Sequence, residues 1–159
     1  MSADPNHQVA LLEFRLDQGR FAIACELVAE VLPMLPIREL PGAPPAIVGV
    51  ISIRGVLLPL LDPRPRLGHA PWRACVDAHI VSAFAGGRSV GLVVDSADDV
   101  FTVAWGAICR PGVLEPQLQV PYALGLVGRD NGQVVVLDLD ALVTHDEWKG
   151  VVRAVDRAS

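Results

Sequence analysis

The segment Ile47-Val-Gly-Val-Ile-Ser-Ile53, followed by Arg54-Gly55 and then Val56-Leu-Leu-Pro-Leu-Leu61, is the most apolar part of the chain. A short turn sequence between two apolar runs is typical of neighbouring strands. Both runs are almost continuously apolar, which predicts strands that are buried on both faces. Pro59 has no backbone N–H, so we expect it at a sheet edge, a bulge or a barrel rim. The segment therefore indicates a β protein with a large core.

The N-terminal part predicts two further strands and one short helix. Residues 12–17 alternate apolar and polar side chains, and residues 21–24 are expected to form the returning strand. Leu27, Val28 and Val31 have helical spacing, which predicts a short helix over residues 26–31 that ends at Pro33. Four prolines then predict a stiff loop, namely Pro36, Pro41, Pro44 and Pro45.

The C-terminal half shows the same alternation of strands and turns. We expect strands at residues 78–85, 89–95, 100–103, 123–127 and 133–137. Asn131-Gly132 lies between the last two, and Asn-Gly between apolar runs predicts a hairpin with a type I′ turn. Asp138 or Asp140 can cap a short helix that extends to Val143. A C-terminal helix is predicted by apolar residues that recur on one face, namely Trp148, Val151, Val152 and Val155.

Many short strands separated by turns predict a mainly β fold with two lobes. Residues 1–8 are polar and are expected to form a flexible tail, and residues 9–145 a single domain. Residues 69–77 are the best candidate for a connector between lobes. The first lobe is expected at about 9–68 and the second at about 78–145. Residues 146–159 are expected to form the C-terminal helix and tail.

The composition excludes several classes of protein. Apolar residues make up 52% of the chain and the net charge is −5, so a packed core is expected and a basic nucleic-acid surface is not. The longest apolar stretch, residues 47–61, is shorter than the roughly 20 residues of a membrane span. The N-terminus also lacks the pattern of a signal peptide, so we expect a cytoplasmic protein. Three widely spaced cysteines predict reduced thiols.

The motifs of common active sites are missing from the sequence. There is no phosphate-binding Gly-x-x-x-x-Gly-Lys and no Gly-x-Ser-x-Gly. Cys75 and His79 are four residues apart but have no third metal ligand nearby, so no metal or cofactor is expected. Asp98-Asp99 is expected in a solvated turn, and the Asp138 and Asp140 carboxylates are explained by capping. We therefore expect a protein that is not an enzyme.

Arg54 stands out because it lies inside the most apolar segment. Burying an unpaired guanidinium is very unfavourable, so this side chain must reach solvent or a partner. One interpretation is a buried ion pair with Glu30 or Asp62 that fixes the lobe. The other is a surface arginine that recognises a partner through its planar guanidinium. The sequence does not decide between them.

Several short motifs, taken in their order, resemble the CheW-like domain family. They are Val28-Ala-Glu-Val31, Leu40-Pro-Gly42, Ile47-Val-Gly49, Ile53-Arg-Gly55, Pro59-Leu-Leu-Asp62, Arg66-Leu-Gly68, Val90-Gly-Leu-Val-Val-Asp95, Asp99-Val100, and the run from Gly125 to Leu137-Asp-Leu-Asp140. The resemblance covers about residues 9–145. Each motif alone is weak, but their common order makes the resemblance specific.

The resemblance implies a fold of two five-stranded, β-barrel-like lobes of the SH3 or OB type. It implies an adaptor in two-component chemotaxis signalling, which links the cytoplasmic tip of a methyl-accepting chemoreceptor to the regulatory domain of a CheA-type histidine kinase. Carried over by position, the receptor-binding residues are Glu30, Val31 and Arg54. Val90, Leu92 and Val94 are expected either to form the second wall of the receptor groove or to be ordinary core. A kinase-facing surface is expected at Pro59, Asp62 and Pro63.

Two positions depart from the family's pattern. Ser52-Ile-Arg-Gly55 stands where the family often has Asn-Leu-Arg-Gly, and Pro63 stands where it usually has leucine. Pro63 removes a backbone donor, so a strand is expected to end there. Two alternatives stay open at this point. One is a divergent regulatory module in a non-chemotaxis sensory pathway, and the other is a small-ligand-binding protein or enzyme that uses the groove between the lobes.

Overall fold

A computed structural model describes residues 4–110, 122–143 and 149–150. The elements that lie wholly within the described residues are ten strands, three 3₁₀ turns and one short α-helix. The strands are β1 (Gln8–Leu16), β2 (Gly19–Ala24), β3 (Val28–Pro33), β4 (Ile47–Ile53), β5 (Val56–Leu61), β6 (His79–Ala85), β7 (Arg88–Val94), β8 (Ser96–Ala104), β9 (Ala123–Arg129) and β10 (Gly132–Leu137), and the helix is α1 (Leu139–Leu142). None of the described helices has the length and apolar character needed to cross a membrane.

The strands form two sheets of five strands with the same pairing pattern. Sheet A has the order β8-β1-β2-β10-β9, and sheet B has the order β3-β6-β7-β5-β4. In each sheet one neighbouring pair is parallel, β2 with β10 and β5 with β7, and the other pairs are antiparallel. Along the chain, the five strands of sheet B (β3 to β7) lie between β2 and β8 of sheet A.

Each sheet closes on itself through one isolated bridge. Arg38, which follows edge strand β3, exchanges two backbone hydrogen bonds of 2.8 and 2.9 Å with Val50 of the other edge strand, β4. In the same way Cys109, after β8, exchanges bonds of 2.8 and 2.7 Å with Leu126 of β9. Closure pairs the edges that an open sheet would leave exposed, so both sheets are barrel-like.

Three apolar clusters follow from this closure. Sheet B encloses a cluster centred on Ile51, Leu60 and Ile80, and sheet A encloses one with Leu11 and Val136. The third and largest cluster lies between the sheets and contains, from both of them, Phe14, Ile23, Leu61, Val81, Leu92 and Leu137. The predicted class of two five-stranded, barrel-like lobes on a shared core is confirmed.

The sheets do not coincide with the predicted lobes at 9–68 and 78–145. Strands β1 and β2 belong to sheet A with β8, β9 and β10, whereas β3 to β7 form sheet B. The chain therefore passes from one sheet to the other at residues 25–27 and at Asp95. The expected connector, residues 69–77, lies between two strands of sheet B.

Two local predictions in the N-terminal part were wrong. The helix expected at residues 26–31 is a single 3₁₀ turn, Cys25–Leu27, followed by strand β3. Burial in β3 alternates residue by residue, because β3 pairs with β6 and presents one face to the core. The expected tail is hydrogen-bonded in its described part, since Pro5 O and His7 O accept from Gly106 N and Trp105 N.

The turn predictions in the C-terminal half agree with the structure, with one shift. Arg129 pairs with Gly132, so the two central turn residues are Asp130 and Asn131, at φ values of 50° and 61°. Two positive values are what a type I′ turn requires, but the turn lies one residue earlier than Asn-Gly. Asp138 caps α1 by accepting from Ala141 N at 3.3 Å, as predicted. The predicted stripe from Trp148 to Val155 lies outside the described residues.

Two glycines make the barrel closures possible. A Cβ atom on Gly125 would lie 2.6 Å from Ile108 Cγ2 and 2.8 Å from Cys109 O, and one on Gly49 would lie 2.5 Å from Arg38 O. We expect Gly125→Ala to lower the free energy of unfolding by about 1–3 kcal/mol, because backbone atoms of the closing bridge must move. Urea denaturation measures this.

Gly128 provides the control for that experiment, because it lies in the same strand and a Cβ there would meet no atom closer than 4.0 Å. Gly128→Ala is expected to change stability by less than about 1 kcal/mol, and in the stabilising direction. Equal losses in the two variants would contradict the close-approach explanation.

Candidate functional site

Arg54 lies at the tip of the β4–β5 hairpin and is exposed. Arg54 and Gly55 form the turn, with φ values of 49° and 80°. Arg54 Nη2 donates to Glu30 Oε1 at 2.7 Å, with 74% of the Arg54 side chain and 32% of the Glu30 side chain exposed. This is a surface ion pair between the hairpin and β3. The buried-pair interpretation is therefore wrong for Arg54, and Asp62 is not its partner.

Exposed apolar side chains flank this ion pair in the sequence. Val31 follows Glu30 and is 42% exposed, while Val56 and Leu57 follow the turn and are 67% and 41% exposed. We call these three residues, together with Glu30 and Arg54, the docking patch. Sequence reasoning missed Val56 and Leu57, although two consecutive apolar residues directly after a turn cannot both face one core.

The three predicted residues of β7 do not reach the surface. Val90, Leu92 and Val94 are each 0% exposed and belong to the cluster between the sheets. Leu92 pairs with Val81, which pairs with Val31 of the docking patch. Directly paired residues point to the same face of a sheet, so Val31 lies at the exposed margin of the face whose central part, with Leu92, is buried between the sheets.

The residues predicted to face a kinase are also buried. Pro59 lies inside β5, one residue before the parallel pairing with β7 begins, so its missing N–H falls outside that ladder. Strand β5 ends at Leu61, before Pro63, as expected. Asp62 is 6% exposed, and its carboxylate accepts from Arg64 N, Arg64 Nη1 and Trp72 N.

A buried arginine, Arg64, joins the two sheets, and sequence reasoning missed it. Arg64 is 1% exposed and donates to Asp62 Oδ1 at 3.1 Å, to Val93 O at 2.9 Å and to Asp95 Oδ1 at 2.7 Å. Asp95 in turn accepts from the backbone N–H of Asp17, in the β1–β2 turn of sheet A. The only local signal was Asp62 two residues before Arg64, because the other partners are distant in sequence.

A second ionic cluster lies on sheet A around Glu13. Glu13 is 3% exposed, accepts from Arg20 at 3.0 and 3.1 Å, and accepts from Arg129 at 2.9 Å. Arg129 also donates to Asp99 at 2.6 Å, and its Cζ lies 4.3 Å from the centre of the Phe101 ring. Asp99 therefore lies in strand β8 and has an arginine partner, so the turn expected for it was wrong, although 60% of its side chain is exposed.

These contacts set the direction of the pKa shifts. The hydrogen bond from Arg20, and then that from Arg129, lower the pKa of Glu13 although its burial acts in the opposite direction. The hydrogen bond from Arg129 likewise lowers the pKa of Asp99. The four charged groups stabilise one another, so this cluster is a structural network rather than a pair of carboxylates with divergent pKa values.

The Glu13 network predicts an acid-sensitive fold. A carboxyl group whose pKa is lowered in the folded state stabilises the protein at pH values above its ordinary pKa, which is 4.5 for Glu13. This stabilisation is lost as the pH falls through the folded-state pKa. We expect Glu13→Gln to lower the free energy of unfolding at pH 7 by about 1–3 kcal/mol. Urea denaturation at several pH values should show this difference shrinking below pH 4.5, and a constant difference would contradict the assignment.

The described residues contain no group of side chains suited to hold a metal ion. Within residues 4–110, 122–143 and 149–150, no three His, Cys, Asp or Glu side chains are grouped so that they could hold a metal ion. Cys75 is exposed and His79 is half-buried at the start of β6. Asp140 accepts from Gly86 N at 2.7 Å, and Asp138 caps α1.

Comparison with known proteins agrees with this architecture. The family model for the CheW-like domain matches residues 10–147, which is most of the chain. The chain belongs to the CheW-like domain family. Relatives of this CheW-like domain include the chemotaxis protein CheW of Bacillus subtilis, 30% identical over 96% of this chain and 97% of that protein. A probable chemotaxis protein CheW of Rhizobium etli is 29% identical over 86% of this chain and 88% of its own length.

A solved structure shows the same fold. The scaffolding protein TtCheW from Thermoanaerobacter tengcongensis superposes on this CheW-like domain with a TM-score of 0.76, over 92% of this chain and 96% of that one. The sequence identity is 21%, so this likeness concerns the fold alone.

Proposed function

We propose that this CheW-like domain is a non-enzymatic chemotaxis scaffold in the cytoplasm. It couples methyl-accepting chemoreceptors to a CheA-type histidine kinase. Membership of the family and the chemotaxis names of its relatives support this proposal. The structural observation that carries it is the exposed Arg54–Glu30 ion pair, which joins the tip of the β4–β5 hairpin to β3 and has exposed apolar residues close to each member in the sequence. Apolar anchors around an arginine are typical of protein–protein interfaces.

The docking patch suits an amphipathic helical partner such as the tip of a chemoreceptor. Val31, Val56 and Leu57 supply exposed apolar side chains for contact with such a helix, and because Val56 and Leu57 are consecutive in β5 a helix on one face meets only one of those two. Because 74% of the Arg54 side chain is exposed, it remains able to donate to a carboxylate or a backbone carbonyl of the partner. Glu30 holds the Arg54 side chain in place before binding, which reduces the entropy lost on docking.

Two sets of residues that were predicted to contact a partner are buried, so in this proposal they act indirectly. Val90, Leu92 and Val94 would act only indirectly, by packing the core between the sheets at whose margin Val31 lies. Pro59, Asp62 and Pro63 remain a prediction for the kinase side. Because they are buried, they would act there by fixing the position of β5 and of the loop that follows it.

Reconstitution tests the proposal directly. The purified chain is mixed with the cytoplasmic fragment of a chemoreceptor and the regulatory domain of the CheA-type kinase from the same organism, and complexes are separated by size-exclusion chromatography. We expect one complex that contains all three proteins, because a coupling protein must bind both partners at once. Binding to neither partner would overturn the proposal. If a pull-down from native lysate then recovered another sensory kinase instead, the divergent regulatory module would be the better assignment.

A further inference from the structure

The two sheets repeat one another in their strand register. The six residue pairs of the β4–β5 hairpin recur pair for pair in the β9–β10 hairpin, including the irregularity next to the first pair. Strand β3 against β6 corresponds in the same way to β8 against β1, so Val31, opposite Val81, has its counterpart in Val100, opposite Leu12. The positions of the docking patch therefore have structural equivalents on sheet A.

The structural equivalent of Arg54 is an acidic residue. Arg54 and Asp130 are each the first residue of a two-residue turn, with φ values of 49° and 50°, and their side chains are 74% and 77% exposed. Asp99 in β8 is the equivalent of Glu30 and is also exposed. We call Asp99 and Asp130, which line one surface depression, the acidic patch. Equivalent hairpin tips of the two sheets thus carry opposite charges.

The arginines of this depression leave Asp130 available to a further cation. Arg20 and Arg129 are 18% and 20% exposed and are bonded to Glu13. They lie 3.9 and 3.8 Å from Asp130, which is too long for a hydrogen bond. Arg15, the exposed arginine of the depression, lies on β1 opposite the first residue of β8. The exposed carboxylate at the tip of this hairpin can therefore accept from a guanidinium outside the chain.

We propose that copies of this chain associate head to tail, with Arg54 of one copy against Asp99 and Asp130 of the next. The chain supplies both halves of this contact, an exposed guanidinium on sheet B and exposed carboxylates on sheet A. Exposed valines adjoin both in the sequence, Val56 after the Arg54 turn and Val100 after Asp99, and can add apolar area. Contacts between two docking patches or two acidic patches would instead bring like charges together.

A contact between two different patches does not close after two copies. Each added copy leaves one docking patch and one acidic patch free, so the assembly grows into an open chain or a ring. A receptor helix on the docking patch would compete with the neighbouring copy for Arg54. The association itself needs neither receptor nor kinase, so it stands or falls separately from the coupling role.

Sedimentation velocity of the full chain alone, at concentrations up to millimolar, tests the proposal. We expect the weight-average sedimentation coefficient to rise with concentration. The rise should weaken between about 0.1 M and about 1 M salt, because the screening length falls from about 10 Å to about 3 Å. Arg54→Asp and Asp130→Arg each place like charges in the contact, and each is expected to lower the association constant at least about tenfold. Both turns have nearly the same φ, so each position already suits the residue type that it receives.

An equimolar mixture of these two variants is the decisive sample. The altered hairpin tips of Arg54→Asp and Asp130→Arg are complementary to each other, and so are the patches that each variant leaves unaltered. We therefore expect the mixture to associate at least as strongly as the unaltered chain, although each variant alone does not. Arg73→Asp makes the same charge change as Arg54→Asp at an exposed arginine outside both patches, and it should associate normally.

Three results would contradict head-to-tail association. One is a sedimentation coefficient of the unaltered chain that stays constant over the whole concentration range. The second is association that Arg54→Asp and Asp130→Arg leave unchanged, which would place the contact on another surface. The third is a mixture that associates no more than the variants do alone. Recovery in the mixture supports the proposal and also shows that both variants are folded.

Discussion

Replacing Arg64 with alanine is expected to lower the free energy of unfolding by about 3–5 kcal/mol, because it leaves a buried carboxylate without its counter-ion. Arg64 is 1% exposed, and its guanidinium satisfies Asp62 Oδ1 and Val93 O in the interior of the protein. Its bond to Asp95 contributes less, since 42% of the Asp95 side chain is exposed. Urea denaturation followed by circular dichroism measures the loss.

Arg73→Ala is the matched control for Arg64→Ala. Arg73 is exposed in the loop beside the same cluster, and its removal is expected to change stability by less than about 0.5 kcal/mol. A double-mutant cycle with Arg64→Met and Asp62→Asn isolates the pair itself. We expect a coupling of about 1–3 kcal/mol between the two sites. Additive losses would show that Arg64 contributes through packing rather than through Asp62.

The Arg64 cluster also connects the two sheets. Asp62 and Val93 belong to the end of sheet B, while Asp95 accepts from the backbone of Asp17 in a turn of sheet A. One guanidinium therefore connects the ends of β5 and β7 to the β1–β2 turn. Together with the shared apolar cluster, this contact fixes the orientation of the sheet that carries the docking patch.

Local patterns predicted most of the strands but not their partners. The runs on either side of Arg54 became β4 and β5 within the predicted bounds, because continuous apolar sequence and a turn are local signals. Strand β2, by contrast, pairs with β10, where Val135 lies opposite Phe21 although the two residues are more than a hundred positions apart in the sequence. Spacing along the chain holds no information on such a contact, so the predicted lobes followed sequence order and the sheets did not.

The same limit applies to the candidate site. Arg54 was recognised because a charge inside an apolar segment must reach solvent or a partner, and the choice between burial and exposure needed the fold. Arg64 is the opposite case. It lies among prolines and charges in the sequence and is nevertheless the buried arginine, because its acceptors Val93 and Asp95 come from another strand end. The error at β3 arose because Val28 and Val31 fit helical spacing, although pairing with β6 decides their conformation.

Exchanging Arg54 and Glu30 is expected to weaken receptor binding at least as much as the loss of Arg54 alone. The reversed ion pair is not expected to restore binding. Arg54→Asn alone removes the cation while keeping a residue that tolerates the positive φ of 49°. We expect it to weaken binding of the chemoreceptor fragment by about 2 kcal/mol, or about 30-fold in Kd. The stability of the fold should change by less than about 1 kcal/mol, since the Arg54–Glu30 pair is exposed.

The double variant Arg54→Glu with Glu30→Arg separates a docking role from a purely structural one. If Arg54 only braces the hairpin against β3, the reversed pair restores that contact and binding recovers. If the guanidinium itself recognises the receptor, the reversed pair presents a carboxylate at the hairpin tip, and binding stays at least as weak as in Arg54→Asn. We expect the second result, measured by isothermal titration with the receptor fragment. Arg73→Glu, which makes the same charge change at an exposed arginine in the loop after β5, should bind normally, because the effect depends on the position of the charge rather than on net charge.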